Sequence, residues 1–293
     1  MTAHAFAPGH VSGLFAVHDE AAALLHRGSR GAGWSVDLGA TASVDAADTT
    51  RIAIDGVAVD APVTHDALRR LAPGKAFDVR LQLGLPVGQG FGMSAAGTLA
   101  ACMAAASVVG LDPEDALAAT HAAEVASGTG LGDAVGSWFG SGEVRMRPGC
   151  PPHGWALRID PPAGTKFLFC VVGAALATPT IIRDAAWKAR TRELADPAVD
   201  RILAVGRLMG WDAVVRESAA FSKALGLMPD AMRSLGEALP AGLHWGQSML
   251  GNTLWATGPA ATLEAARPVL ERAGRVIACG VDASGARVVR APR

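Results

Sequence analysis

The segment 86–96 contains residue types that bind phosphate groups, at a spacing suited to that task. It reads Pro-Val-Gly-Gln-Gly-Phe-Gly-Met-Ser-Ala-Ala, so Gly88, Gly90 and Gly92 alternate directly before a helix-forming run. Glycines let the backbone turn sharply and approach a ligand closely. A helix N-terminus presents unpaired N–H groups and the positive end of its dipole, and the hydroxyl of Ser94 can contact a phosphate or its Mg²⁺. The segment therefore predicts an anion site suited to a nucleotide.

Two common phosphate-binding motifs do not fit this loop. The P-loop requires a lysine before its serine or threonine, and no lysine lies between Lys75 and Lys166. The dinucleotide-binding motif requires a glycine at the position that Met93 occupies. A structural interpretation stays open, in which the segment is a Gly/Ala-rich turn that leads into a closely packed helix.

Two carboxylates follow the loop and could serve phosphoryl transfer. Glu124 lies near the end of a predicted helix, and Asp133 follows a glycine-rich turn. Mg²⁺ is usually held by one or two carboxylates together with substrate phosphates, and a carboxylate can accept the proton of an attacking hydroxyl. Glu124 as metal ligand and Asp133 as base would divide these tasks. The alternative is that Glu124 faces solvent and Asp133 is a helix N-cap.

Composition narrows the classes of partner. With 293 residues and a formal net charge of −1, the chain offers no electrostatic case for binding nucleic acid or an anionic membrane. Its four cysteines are far apart and match neither a zinc site nor a dense disulfide framework, which indicates reduced thiols and a cytoplasmic protein. His4, Pro8 and His10 interrupt the apolar core that a signal peptide would need. The uncharged run 93–111 is rich in Ala, Gly and Ser, which favours a buried helix over a membrane span.

The order of predicted elements indicates an α+β fold with two lobes. Strands are predicted at 13–18, 33–44, 51–59, 77–83, 143–147, 156–160, 166–172, near 254 and at 275–281. Helices are predicted at 92–109, 113–126 and 259–273, and a mainly helical region at 179–239 with breaks near Pro197, Gly210 and Pro229. The lobes are expected at 1–165 and 166–293.

The glycine loop resembles the second motif of the GHMP kinases, a family that includes galactokinase, homoserine kinase and mevalonate kinase. That motif is Pro, three residues, then Gly-Leu-Gly-Ser-Ser-Ala-Ala; here Phe91 replaces the leucine and Met93 the first serine. The family also carries a Glu and, after a glycine turn, an Asp before Ala-Val, which Glu124 and Asp133 match in order and spacing. Its third glycine motif resembles residues 248–258.

Within this family the chain resembles the archaeal-type pantoate kinase group nearly end to end, over about residues 5 to 258. The blocks that carry this resemblance are 7–13, 28–33, 85–96, 122–124, 129–133, 145–149 and 249–253. Among them, Gly-Ser-Arg-Gly-Ala-Gly at 28–33 is much more specific than the generic kinase loop. The chain departs from the pattern at Gly246 and Gln247, where a more apolar run is expected, and at Pro179. These departures bear on substrate geometry more than on the class of reaction.

The resemblance implies a two-lobed kinase that transfers phosphate from ATP to pantoate, giving 4-phosphopantoate for coenzyme A synthesis. It implies Asp133 as the base and Ser94 with Glu124 as Mg²⁺ ligands and catalytic residues. The ATP-binding residues that it implies are Pro86, Gly88, Gln89, Gly90, Phe91, Gly92, Met93, Ser94 and Ala95.

Five further residues are substrate candidates, each with an ordinary structural alternative. Arg30 and Arg145 suit a carboxylate, Ser29 and Thr178 offer hydroxyls, and His121 lies one helical turn before the glutamate of the site. Two other functions stay open: a kinase of the same fold for a sugar or a mevalonate-like acid, and a metabolite-sensing protein without catalysis. A homodimer is also left open.

Overall fold

A long antiparallel hairpin forms the centre of the larger sheet. The computed structural model describes residues 2–174 and 184–290. Strands β1 (Ala3–His18) and β2 (Gly28–Ala47) pair along almost their full lengths, with irregularities after Pro8 and Ser12. The other strands of this sheet are β3 (Arg51–Ile54), β4 (Val57–Ala58), β5 (Ala76–Leu83), β6 (Gly142–Arg147), β7 (Trp155–Ile159) and the last strand, β12 (Arg287–Val289). Pairing of β6 and β12 with the hairpin brings residues far apart in sequence next to β1 and β2.

Four helices accompany this sheet. They are α1 (Pro62–Leu71), α2 (Met93–Val109), α3 (Pro113–Ser127) and α4 (Asp133–Phe139). Helix α2 is apolar on all sides and packs between the sheet and its neighbouring helices, which is typical of a buried helix. None of the helices within residues 2–174 and 184–290 has the length and apolar character needed to cross a membrane.

The second sheet has four antiparallel strands. They are β8 (Lys166–Val171), β9 (His244–Gln247), β10 (Thr253–Thr257) and β11 (Arg275–Gly280), in the order β11-β8-β10-β9. The helices of this half are α5 (Ala185–Ala204), α6 (Gly206–Ala224), α7 (Asp230–Glu237) and α8 (Ala260–Glu271). The predicted two-lobed α+β class is confirmed by this arrangement.

Aromatic side chains join the two sheets in one continuous core. Trp34 of β2 stacks on Phe167 at 4.8 Å and meets Trp255 edge-on at 5.1 Å between ring centroids. Phe91 of the glycine loop contacts Phe169 at 5.1 Å. The loop is therefore anchored to the second sheet by a buried ring. A division at 165/166 stays a prediction, because β8 begins the second sheet there but β12 returns to the first.

Several element boundaries differ from the sequence prediction. Pro197 and Gly210 lie inside α5 and α6 rather than at breaks, and the chain turns between these helices at Gly206, which has a φ of 72°. A proline inside a helix removes one backbone hydrogen bond, but packing of the buried residues around it keeps α5 continuous. The predicted strand 51–59 is two short strands, and α1 was not predicted. The expected helix start at 179 and Thr178 lie outside the described residues.

Candidate active site

A cleft of about 220 Å³ opens where the glycine loop, the start of α2 and the turn before α4 meet. Its walls also include Ser12, Phe15 and Ser29 from the β1–β2 hairpin and Met249 and Leu250 from the second lobe. Both Glu124 and Asp133 line it. The cleft thus collects the loop and the two carboxylates that the sequence singled out.

The glycine loop has the backbone that its sequence requires. Gly88, Gly90 and Gly92 all have positive φ, at 73°, 81° and 59°, a conformation that other residues rarely adopt. Gly92 is the N-cap of α2, and no side chain of the described residues caps this end of the helix. The first N–H groups of α2 are therefore free to bind an anion at the cleft.

Two of the loop's close contacts are with the second lobe. A Cβ added to Gly90 would lie 2.7 Å from the Cβ and carbonyl oxygen of Ser248. A Cβ added to Gly251 would lie 2.1 Å from the carbonyl carbon of Gln89. These glycines let the two lobes touch. A bulky side chain at Gly90 would therefore disturb the junction of the lobes as well as any bound nucleotide.

Hydroxyl groups of two neighbouring residues hold the carboxylate of Glu124. Its side chain is 2% exposed, so the alternative of a solvent-facing glutamate is wrong. The hydroxyl of Ser94 donates to Oε1 at 2.6 Å, and that of Thr129 donates to Oε2 at 2.9 Å. Burial raises the pKa of Glu124 to about 7, although both hydroxyls favour the ionised form.

Asp133 has a cationic neighbour. It is the first residue of α4, whose N-cap is Gly132. Its side chain is hydrogen-bonded to His10 of β1 and does not cap the helix. His10 Nδ1 lies 2.8 Å from Oδ1, and the Ser12 hydroxyl donates to the same oxygen at 3.1 Å. Burial alone would raise the pKa of Asp133, but the hydrogen bond and charge of His10, with the charge of Arg145, hold it below its usual range.

Behind Asp133 a buried row of charges continues through the sheet. His10 Nε2 lies 3.0 Å from Glu143 Oε1, and Arg145 pairs with the same oxygen. Burial alone would lower the pKa of His10, but the charges and hydrogen bonds of Glu143 and Asp133 raise it to about 9. His10 is therefore an imidazolium at neutral pH, between two carboxylates.

Glycines on β2 leave space for this row of charged side chains. Ser12 of β1 pairs with Gly33 of β2, which pairs in turn with Glu143 of β6. A Cβ on Gly33 would lie 2.7 Å from His10 Nε2, and one on Gly31 would lie 3.0 Å from Arg145 Nη2. The glycines of the 28–33 block thus allow side chains of the two neighbouring strands to meet over the middle strand.

Comparisons with known proteins agree with this geometry. The family model for the GHMP kinases N terminal domain matches residues 61–141, which include the glycine loop and both carboxylates. The chain is 26% identical to the pantoate kinase of Methanocaldococcus jannaschii over 270 residues, covering 91% of this chain and 96% of that protein. It is 34% identical to the pantoate kinase of Thermococcus kodakarensis over 168 residues, 53% of this chain and 55% of that protein. A solved phosphotransferase related to the CoA biosynthesis pathway superposes with a TM-score of 0.85 at 25% identity, over 99% of both chains.

Residues 61–141 therefore form a GHMP kinase N-terminal domain, and the chain is similar to pantoate kinases over most of its length. Mevalonate-3-kinase from Thermoplasma acidophilum shares the fold, with a TM-score of 0.73 at 14% identity over 99% of this chain and 98% of that one.

Most residues expected to bind the nucleotide line this cleft. These are Gly88, Gly90, Phe91, Gly92, Met93, Ser94 and Ala95. Pro86 and Gln89 do not line it, and Gln89 instead donates from Nε2 to the carbonyl of Gly173 at 2.9 Å. The side chain of Gln89 thus ties the loop to the second lobe.

The substrate candidates are placed at different depths. Ser29 lines the cleft, whereas Arg145 is 2% exposed and lies beneath Gly132, where a Cβ would be 2.6 Å from its Nε. Arg30 lies outside the cleft lining and binds Asp196 and Asp200 of α5. His121 is also outside the lining: its Nε2 lies 2.8 Å from the carbonyl of Arg27, and burial lowers its pKa.

Sequence reasoning assigned no role to His10, Ser12 or Glu143. A signal for the first two was present, since both fall in the 7–13 block that carries the family resemblance. Glu143 and Arg145 are two residues apart on one strand and therefore share a face. A strand that places two opposite charges on its buried face indicates a polar site beneath it.

Proposed function

We propose that this protein transfers the γ-phosphoryl group of ATP to the terminal hydroxyl of pantoate, giving 4-phosphopantoate and ADP in coenzyme A synthesis. The observation that carries this proposal is the position of Asp133, whose carboxylate lies in the same cleft as the N-terminus of α2. The pantoate kinase relatives, which are matched over up to 97% of this chain, support the choice of substrate.

The glycine loop provides the phosphate site in this mechanism. The free N–H groups at the start of α2 and the positive end of its dipole stabilise the charge of the triphosphate. Phosphoryl transfer has a loose transition state, so catalysis depends mainly on positioning and electrostatic stabilisation. The contacts of Gly90 and Gly251 fix the loop against the second lobe and so contribute to positioning.

Asp133 accepts the proton of the attacking hydroxyl. Its Oδ1 is occupied by His10 and Ser12, whereas Oδ2 accepts no hydrogen bond from the described residues. The side chain is 23% exposed, at the cleft. The imidazolium of His10 keeps the carboxylate ionised at neutral pH, so Oδ2 is available to orient the hydroxyl and to take its proton as the phosphoryl group transfers.

Ser94 and Glu124 fit a Mg²⁺ ion. Both present oxygen atoms, which are the ligands that Mg²⁺ prefers, and they lie 2.6 Å apart at the start of α2. The described residues contain no group of three or more His, Cys, Asp or Glu suited to a metal, so the remaining ligands would be phosphate oxygens and water. When bound, Mg²⁺ neutralises charge on the β- and γ-phosphates.

The carboxylate of pantoate is assigned to the part of the cleft that Ser29 and Gly132 line, with Arg145 behind it. Arg145 Nε donates to the Ser29 hydroxyl at 3.2 Å, and its Nη2 is buried without a partner among the described residues. Arg30 and His121 stay in the proposal as outer substrate residues, because they lie outside the cleft lining. Thr178, which is not among the described residues, stays a substrate candidate from the sequence. A cytoplasmic location is also proposed, on the ground that all four cysteines are buried and unpaired.

The experiment is an ADP-release assay with purified protein, ATP and Mg²⁺, in which each acceptor is tested alone: pantoate, mevalonate, homoserine and galactose. We expect pantoate to give the highest kcat/KM, with a product that carries one phosphate on the terminal oxygen by phosphorus NMR. Faster turnover of another alcohol would replace pantoate by that substrate. ATP binding without turnover of any acceptor would support the sensing function instead.

A further inference from the structure

We propose that Phe15, Leu131 and Met249 form an apolar wall that contacts the two methyl groups of pantoate and selects against unbranched hydroxy acids. This inference rests on the proposed function and adds a specificity determinant to the same cleft. The three side chains all line the cleft and are 6%, 7% and 5% exposed, so their remaining accessible surface is small.

The wall lies next to the reacting end of the substrate. Leu131 precedes Asp133 by two residues, on the turn that leads into α4. Met249 reaches the same place from the second lobe, because its N–H donates to the carbonyl of Ser12 at 3.3 Å. Ser12 in turn donates to Asp133. An alcohol bound at Asp133 therefore has apolar side chains from both lobes beside its first carbons.

Phe15 is a firmly supported part of the wall. Its ring packs against Trp187 at 5.6 Å and Phe221 at 6.1 Å between centroids, both in tilted geometry. Rings at such distances and angles interact favourably. Two helices of the second half, α5 and α6, thus hold this ring at the cleft, which limits how far it can move away from a smaller substrate.

The chemistry of pantoate matches this distribution of surfaces. Its terminal CH₂OH is attached directly to a quaternary carbon that bears two methyl groups, and the carboxylate lies farther along. With the hydroxyl at Asp133, the methyl groups fall next to the wall, and the carboxylate points toward Ser29 and Arg145. A sugar would bring hydroxyl groups against the same wall and leave them without hydrogen bonds, which is unfavourable.

The test compares pantoate with 2,4-dihydroxybutanoate, which keeps the acid and both hydroxyls but lacks the two methyl groups. Each well-packed methylene-sized group is worth about 10- to 200-fold in kcat/KM. We therefore expect wild type to prefer pantoate by about 10²-fold or more. Leu131→Ala is expected to lower this preference by about 10-fold, since it removes apolar contact from one side of the methyl groups.

Two features keep the comparison specific. Both acids are assayed on the same preparation, so a partly folded variant changes both rates and leaves their ratio intact. Val87→Ala serves as the matched control, because Val87 is an apolar residue that lines the same cleft on the side of the glycine loop. Its substrate ratio should stay at the wild-type value. Phe15→Leu provides a second, milder change in the wall.

The outcomes separate this inference from the proposed function. Equal turnover of the two acids by wild type would overturn the wall and leave pantoate phosphorylation standing. A strong preference that neither Leu131→Ala nor Phe15→Leu reduces would also overturn it, since other residues would then recognise the methyl groups. Failure of wild type to phosphorylate pantoate under conditions where it phosphorylates another alcohol would overturn both.

Discussion

Two carboxylates face one cleft, yet their surroundings shift their pKa values in opposite directions. Glu124 is hydrogen-bonded by the hydroxyls of Ser94 and Thr129, and burial raises its pKa to about 7. Asp133 is also penalised by burial, but His10 holds its pKa below the usual range. The difference is the presence of a cation from the chain itself. Paired groups with divergent pKa values indicate divided tasks in an active site.

This difference supports the proposal that Glu124 holds a metal ion and that Asp133 accepts a proton. Asp133 already has its compensating charge in His10, which Glu143 and Arg145 support from behind. No cationic side chain of the described residues is hydrogen-bonded to Glu124, so a bound cation would supply the missing compensation. The predictions below either remove this asymmetry or make it measurable.

The largest effect is expected from Asp133→Asn. The amide keeps the size of the side chain but cannot accept the proton, and general-base catalysis contributes roughly 10²- to 10⁴-fold. We expect kcat to fall by at least about 10²-fold, while ATP affinity measured by calorimetry changes little because the glycine loop is untouched. Ser12→Ala removes a hydrogen bond to the same oxygen without changing the charge, so its loss of rate should be much smaller. Near wild-type turnover of the asparagine variant would remove Asp133 from the chemistry.

The second effect concerns stability and the charge of His10. Its pKa in the folded protein is about 9, above the ordinary value of 6.5. The folded state therefore binds this proton more tightly, so the stabilisation is complete below pH 6.5 and is lost as pH rises to 9. From the size of the shift this loss is roughly 3 kcal/mol at most. Urea unfolding at several pH values should show the decline in wild type and its absence in His10→Asn. The same pH dependence of the free energy of unfolding in both proteins would show that a group other than His10 causes the decline.

Sequence reasoning identified both carboxylates but not the asymmetry between them. The glycine loop, Glu124 and Asp133 lie within one stretch of chain, so local pattern was sufficient to associate them. His10 lies 123 residues before Asp133, and the register of β1, β2 and β6 brings it next to Glu143. No local pattern contains that register. The charge of the site was therefore outside what periodicity and spacing could predict.

For the fold as well, elements with local sequence patterns were predicted and features set by tertiary packing were not. The β-rich start, α2, α3 and the second sheet were expected because their patterns are strong and local. Helix α1 was not expected, and two breaks were placed inside α5 and α6, where tertiary packing outweighs the local preference of Pro197 and Gly210. Arg30 shows the same limit for side chains, since its partners Asp196 and Asp200 come from a distant helix.

A third effect is expected on the metal requirement when Glu124 becomes Gln. The change removes the charge and keeps the shape. The Mg²⁺ concentration for half-maximal rate should therefore rise by about 10-fold or more, because loss of a group that only supports a metal ligand already weakens metal binding by about 10-fold. The KM for pantoate should change little. Glu114→Gln is the matched control, because Glu114 is exposed in the first turn of the same helix α3. An unchanged Mg²⁺ titration in the Glu124 variant would exclude it as a ligand.

The smallest effect is expected from substituting two glycines, each of which lies close to one of the carboxylates. A Cβ on Gly130 would lie 2.6 Å from Glu124 Oε2, whereas one on Gly92 would lie 3.1 Å from Asp133 Cβ. Gly130→Ala should therefore raise the Mg²⁺ requirement, and Gly92→Ala should lower kcat at saturating Mg²⁺. We expect changes on the order of 3- to 10-fold. Misplacing a catalytic group by about 1 Å costs about 10²-fold in rate, and relief of these contacts requires a smaller displacement.

Gly92→Ala also introduces backbone strain, since Gly92 has a φ of 59°. Gly110 ends the same helix α2 with a φ of 74°, and apart from its chain neighbours no atom of the described residues lies within 4 Å of the Cβ that it would carry. Gly110→Ala therefore reports the cost of strain alone, measured as a change in the free energy of unfolding. If Gly92→Ala lowers kcat no more than Gly110→Ala does, contact with Asp133 is not the cause. If Gly92→Ala and Gly130→Ala shift kcat and Mg²⁺ requirement alike, the two carboxylates act as one unit, and the division of tasks between them is wrong.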